Sequence, residues 1–182
     1  IANDTWPNFL FQNNHNGTFT DNALISGLSA SADGRYEAGM GIDVADVDGD
    51  GLPDIYITHM DFELNRLYHN NGNGTFTDVT EKAGVAGSGW STGAAWVDLD
   101  NDGLLDLVVL RYVQWDFDDV WCGEHKEDYR AYCHPDTFKP IRPLVYHNDG
   151  GGRFTEYGEK IGLSVPGKGL GIGIADYDRD GH

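Results

Sequence analysis

An all-β fold of about three four-stranded units is the class this sequence predicts, and three observations predict it. An aspartate-rich loop recurs three times with one spacing. An Asn/Gly hairpin signature recurs in step with it. The segments between them are short, β-branched and apolar, with no long helical period and no apolar run near the roughly 20 residues of a membrane helix.

The loops come first because their chemistry is the most constrained. They read Asp46-x-Asp48-x-Asp50-Gly51-x-x-Asp54, Asp98-x-Asp100-x-Asp102-Gly103-x-x-Asp106 and Asp176-x-Asp178-x-Asp180-Gly181. Carboxylates this dense repel one another unless a cation lies between them. Alternation on a tight loop turns their oxygens toward one point, and the glycine after the third Asp supplies the sharp turn. Oxygen-only ligands suit a hard cation, and Ca²⁺ tolerates an irregular shell better than Mg²⁺ does. Without a cation the same residues would be acidic surface turns, a reading that does not explain a spacing repeated three times. An EF-hand also begins D-x-D-x-D-G, but it needs a Glu at loop position twelve and helices on both sides. Position twelve here is Ile57 or Val109, and the flanks Ile55-Tyr56-Ile57-Thr58 and Leu107-Val108-Val109-Leu110 read as strands.

The hairpins follow. Leu10 to Asp21, Leu67 to Asp78 and Val145 to Glu156 each pass from an apolar pair through a run of Asn and Gly to a short alternating strand. Asn-Gly and Gly-Gly permit the positive φ of a tight turn. A glycine stands five residues before each first loop Asp: Gly41, Gly93 and Gly171. One unit thus reads strand, turn, strand, a short helical turn (Val79 to Ala83 in one repeat), Gly-flanked strand, aspartate loop, strand. Four short strands at this period make a β-propeller blade. The units fall near 1–54, 55–106 and 107–182 of one repeat region, and Phe19, Phe76 and Phe154 take equivalent, inward positions.

The element Phe11-Gln12-Asn13-Asn14-His15-Asn16-Gly17-Thr18-Phe19-Thr20-Asp21, with its two echoes, resembles the FG-GAP/VCBS repeat of integrin α-subunit propellers and many bacterial surface proteins. Together with Tyr129-Arg130-Ala131-Tyr132-Cys133-His134-Pro135 it looks more narrowly like the bacterial relatives of cartilage acidic protein, which often carry an ASPIC/UnbV domain as well. The resemblance implies a propeller of about seven blades, with calcium on loops at its rim. Carried over by position, it implies one ligand set of Asp46, Asp48, Asp50, Asp54 and the Leu52 carbonyl. It implies a second of Asp98, Asp100, Asp102, Asp106 and the Leu104 carbonyl, and a third of Asp176, Asp178 and Asp180, with the His182 carbonyl and no closing Asp.

Charge bounds the partners. The net charge is −18 and the isoelectric point about 4.4, so phosphate-rich nucleic acid and anionic membranes are poor partners. Without their ions the loop aspartates oppose the compact state, which makes the fold calcium-dependent. Ile1 to Asp4 read as a strand following a loop, with Ile1 matching Ile57. The chain is therefore expected to be a fragment of a larger propeller, or a unit whose copies join head to tail.

One segment departs from the repeat. The insert at 112–143 holds Trp115, Phe117, Trp121, Tyr129, Tyr132 and Phe138, and the two cysteines, Cys122 and Cys133. Long ordered loops on a repeat scaffold often carry binding. The aromatics either form a private core or offer a contact surface for a protein or glycan, centred on Trp115, Trp121 and Tyr132. A Cys122–Cys133 disulfide and an oxidising, extracellular, periplasmic or cell-surface setting fit this composition. A zinc site from Cys122, His125, Cys133 and His134 is the alternative, with a spacing that matches no standard pattern. His15, His69 and His147 read as solvated or turn-bonding residues.

No nucleophile elbow, Walker loop or dinucleotide fingerprint is present. Asn3, Asn16 and Asn73 begin glycosylation sequons, the last two already accounted for by turn chemistry. The sequence therefore predicts a non-catalytic, calcium-binding module for binding or assembly. The alternative is a calcium-dependent carbohydrate-active enzyme of polysaccharide-lyase type, or a lectin-like glycan binder.

Overall fold

The computed structural model describes residues 1–118, 121–123 and 131–179. Two four-stranded antiparallel sheets carry the fold. The first is built from β3 (Gly39–Ala45), β4 (Asp54–His59), β5 (Arg66–Asn70) and β6 (Phe76–Asp78), in that order. The second is built from β7 (Ser91–Val97), β8 (Asp106–Arg111), β11 (Leu144–Gly150) and β12 (Arg153–Glu156). A hairpin of β1 (Phe11–Asn13) and β2 (Phe19–Asp21) precedes them, and β9 (Val113–Gln114) pairs with β10 (Lys139–Pro140) inside the insert. The all-β, blade-like architecture is therefore as expected.

A periodic sequence can be divided anywhere in its period, and the hydrogen bonding divides this one before the Gly-flanked strand. The sheets span 39–78 and 91–156, so the first and second aspartate loops each join the first two strands of one sheet. The 1–54, 55–106 and 107–182 division runs out of phase with them. Segment 169–175, the sequence equivalent of β3 and β7, forms no strand, although Thr92 Oγ1 donates to the Gly169 carbonyl at 2.9 Å.

The sheets pack face to face. Every residue of β4 is buried, because both faces of the strand are covered. The alternation of a strand then sorts its side chains. Tyr56 faces the second sheet and joins Leu67, Trp96, Leu107, Val109, Tyr146 and Phe154 in the larger core cluster. Ile55 and Ile57 face the other way, toward Leu28, Tyr68 and the β1–β2 side. Trp96 sits edge-on to Tyr56, with ring centroids 6.0 Å apart, and 5.6 Å from Phe154.

Close approach explains the glycine before the first loop, Gly41, whereas Gly93 and Gly171 have open space where a Cβ would lie. A Cβ on Gly41 would lie 2.9 Å from the Thr92 carbonyl oxygen and 3.0 Å from Gly93 Cα. At Gly41 the innermost strands β3 and β7 approach too closely for any side chain. Both strands carry a register shift at this point, between Gly39 and Gly41 and between Ser91 and Gly93.

The short helices repeat too. α1 (Ala23–Ser26) and α2 (Thr80–Ala83) end on Gly27 and Gly84, both left-handed. Each glycine lies against the carbonyl of the next blade's phenylalanine, Phe76 or Phe154.

The three phenylalanines hold one register, opposite Asn13, Asn70 and Asn148. Their environments are graded rather than uniform. Phe154 is 6% exposed, Phe76 is half-buried, and Phe19 is 63% exposed. Inward holds for Phe154 and partly for Phe76. Phe19 departs from it because β1 and β2 form a two-stranded sheet with no inner strands to carry a core.

Cys122 and Cys133 are joined in a disulfide, with Cα atoms 5.2 Å apart. That removes both thiolates from the zinc alternative, whose His125 lies outside the described residues.

Inside the first sheet, burial pushes the His59 imidazole below its ordinary 6.5, partly offset by Glu37 with Oε2 3.7 Å from Nε2. A lowered folded value favours the neutral ring, so its stability contribution is complete above about 6.5 and is lost as pH falls through that value toward the folded one. An NMR titration of His59 should accordingly show a midpoint below 6.5. In urea denaturation, Phe154→Ala should cost about 3–5 kcal/mol and Phe19→Ala less than about 1 kcal/mol, despite their identical repeat position.

Candidate metal centres

The first two loops are each shaped by two left-handed residues. At the sixth position Gly51 (φ 87°) and Gly103 (φ 89°) make the turn that the sequence implied. At the fourth, Gly49 (φ 80°), Asn101 (φ 61°) and Arg179 (φ 62°) are left-handed as well. That second turn was not legible in advance, because Asn tolerates this region and Arg rarely enters it.

Inside these turns backbone N–H groups point at the carboxylates. Asp46 Oδ1 accepts from Gly49 and Asp50 at 2.9 and 3.1 Å, and its Oδ2 accepts from Gly51 at 2.9 Å. The second loop repeats the last bond, Gly103 N–H to Asp98 Oδ2 at 3.0 Å. The amides of Leu52 and Leu104 each donate at 2.8 Å to Asp50 and Asp102.

The predicted ligands converge. Asp46, Asp48 and Asp50 each bring a carboxylate oxygen within 4.8 Å of the others, as do Asp98, Asp100 and Asp106. Asp98 Oδ1 is buried with no hydrogen-bond partner. An orphaned carboxylate oxygen is costly without a counter-charge, and a hard divalent cation among these oxygens supplies one. The donor set fits calcium. Asp46, Asp48, Asp50, Asp98, Asp100, Asp102 and Asp106 could hold it, with Asp54 beside Asp48.

The closing aspartates are the buried members, Asp54 at 1% exposure and Asp106 at 0%. Asp54 accepts from Val47 N–H at 3.3 Å and Asn70 N–H at 2.8 Å. Burial raises its pKa, and those two bonds work against the rise. Asp106 accepts from Leu99 N–H at 3.1 Å, Asn148 N–H at 2.9 Å and the Tyr157 hydroxyl at 3.2 Å. Burial, then the Asp106 charge, pushes the Tyr157 phenol up to about 12.

Two histidines belong to these centres and were missed by the sequence reading. His69 Nδ1 lies 3.1 Å from Asp54 Oδ1 and 3.3 Å from Asp48 Oδ2. His147 Nδ1 lies 3.1 Å from Asp106 Oδ1 and 3.5 Å from Asp100 Oδ2. The available signal was their shared place, directly after the apolar pairs Leu67-Tyr68 of β5 and Val145-Tyr146 of β11. Adjacent Asn70 and Asn148 donate from Nδ2 to the Pro53 and Leu105 carbonyls, at 3.1 and 3.0 Å.

In the third loop Arg179 N–H donates to Asp176 Oδ1 at 2.6 Å, the counterpart of the Gly49–Asp46 bond. Asp176 and Asp178 are exposed. Asp180, Gly181 and His182 lie outside the described residues. In the insert, Trp115 and Tyr132 line one cavity, whereas Trp121 is half-buried and not part of its lining.

The FG-GAP-like repeat family model matches residues 1–57 and 46–109. The chain is 30% identical over 184 residues to cartilage acidic protein 1 of Xenopus tropicalis, covering 98% of this chain and 24% of that protein. It is 30% identical over 182 residues to the Mus musculus protein of that name, and 29% to the Homo sapiens one, with the same coverage. It thus spans about a quarter of the length of these relatives.

His69→Ala should lower unfolding stability by about 1.5–3 kcal/mol, because a buried carboxylate loses a bonded partner. Gln12→Ala, at the matching place in the β1–β2 hairpin, should change it by less than about 1 kcal/mol. Equal losses at the two positions would show that His69 contributes only its fit within the repeat.

Proposed function

The chain belongs to the FG-GAP-like repeat family, and from that premise we propose that it is a non-catalytic, calcium-stabilised propeller module that presents its insert for binding outside the cytoplasm. One observation carries the calcium reading. Two loops in separate sheets gather their carboxylates alike, and one of them holds a buried carboxylate oxygen that no protein group satisfies. When bound, calcium supplies charge neutralisation. The chain's own part is to aim oxygens inward by backbone turns and to bury the closing aspartate. Its net charge of −18 makes that neutralisation energetically consequential.

The disulfide supports a secreted, periplasmic or cell-surface setting, since such bonds persist in oxidising compartments. The same negative charge disfavours nucleic acid and anionic membrane as partners. No helix among the described residues is long and apolar enough to cross a membrane.

The lyase-like alternative would need a base beside a metal and room for a sugar. Lys82 and His69 do line a cavity with Asp48 and Asp54, but its volume is about 110 Å³. Ligand pockets run to roughly 300–1,000 Å³, so this one suits a few water molecules. We therefore assign no reaction to it.

Excess chelator should lower the melting temperature by about 10 °C or more, as loss of two well-occupied sites implies. Asp48→Ala should reproduce part of that loss with calcium present. Melting that is indifferent to chelator would remove calcium from the account.

A further inference from the structure

We propose that the cavity beside the disulfide-framed insert binds a small ligand bearing a quaternary or N-methylated ammonium group. The inference rests on the reading of the insert as a binding surface, and it names a chemistry other than the protein or glycan that the sequence left open. The cavity has a volume of about 510 Å³, within the range of small-molecule sites. Trp90, Tyr112, Trp115, Tyr132 and Phe138 supply its aromatic lining.

The walls are set at angles. Trp90 meets Tyr112 at 80° and Trp115 at 81°, with ring centroids 5.6 and 6.3 Å apart. Perpendicular rings surround a tetrahedral head, whereas a sugar face stacks on one flat platform. Phe62 and Phe117, which are not part of the lining, pack on Trp115 with ring centroids at 5.9 and 5.0 Å. Phe62 has φ of 69°, a conformation that a bulky residue adopts only at a cost of about 1–3 kcal/mol. It is 60% exposed, and its strained backbone keeps the ring against Trp115 rather than in a core.

The lining chemistry selects the charge. Among its described residues there is no Asp, Glu, Asn, Gln, His, Lys or Arg. A ring of sugar hydroxyls would find few side-chain partners here, and each unpaired hydroxyl costs affinity. A quaternary ammonium has no N–H to satisfy. It offers methyl groups to the rings and positive charge to their faces.

The surroundings agree. Among the described residues of the insert, the carboxylates Asp116, Asp118 and Asp136 stand against Lys139 and Arg142, in a chain of net charge −18. Nearby cations are engaged: Arg111 donates to the Arg142 and Ser88 carbonyls, and Lys168 to the Pro135 carbonyl and to Asp136. A cationic ligand is therefore attracted and an anionic one repelled.

Calorimetric titration of the calcium-loaded protein tests this with three probes: choline, its neutral isostere with carbon in place of the ammonium nitrogen, and a methyl glucoside. Choline should bind at least about tenfold more tightly than the isostere, and the glucoside more weakly than both. Trp115→Ala should weaken choline about tenfold. Tyr132→Ala, at a fully exposed position, should weaken it about threefold while leaving chelator-sensitive melting unchanged. Equal binding of choline and isostere would reduce the site to an apolar pocket and overturn the proposal, as would tighter binding of the glucoside. Retention on phosphatidylcholine vesicles without binding of free choline would overturn the small-ligand assignment. Absence of choline binding alongside intact chelator-sensitive melting would sink this inference and leave the calcium module standing. Insensitivity to chelator with choline bound would do the reverse.

Discussion

A carboxylate buried at the start of a strand is the constraint around which each blade is organised. Asp54 and Asp106 close their loops as the first residues of β4 and β8, almost without solvent contact. Burying such a charge is unfavourable unless every lone pair is engaged. The protein engages them with groups from separate segments: a loop amide, a hairpin amide and a histidine ring, joined in the second sheet by Tyr157. Loop, second strand and third strand are thereby tied at one atom group. The turns that make this possible are left-handed at two places in each complete loop.

Much of the fold was legible because the repeat shows the same physics three times. Strands β4 and β8 read as apolar runs, the hairpins as Asn/Gly turns, and Val79 to Ala83 as a helical turn that appears at Thr80–Ala83. Sheet phase was not legible, since a period has no intrinsic beginning and only hydrogen bonding chooses one. The exposure of Phe19 was equally hidden. Its local pattern matches Phe154, and the difference lies in what packs on the sheet beyond it. Burial belongs to neighbours, and a sequence window does not contain them.

The site was legible in its carboxylates and not in its histidines. Alternating Asp residues mark a candidate cation site through local repulsion alone. His69 and His147 lie 15 and 41 residues beyond the aspartates they touch, so only the strand pairing brings them in. The insert shows a third case. Its aromatics and cysteines marked a place of interest, but Trp90 and Phe62, which complete the aromatic cluster, come from outside the insert altogether.

The two sheets are also bonded to each other at the first loop. Asn148 of β11 donates to the Val47 carbonyl at 3.0 Å, and Gly152 rests against Asp48. In a linear array, stability is a sum of unit terms and nearest-neighbour couplings. Here the coupling runs through the loop as well as through the strands, where Trp96 N–H donates to Asp43 Oδ2 at 3.0 Å and Tyr56 packs on Trp96. A disordered first loop thus deprives the second sheet of part of its support at the same moment. A chain built of repeats in this way behaves less like a row of beads than like a zip whose teeth are the loops.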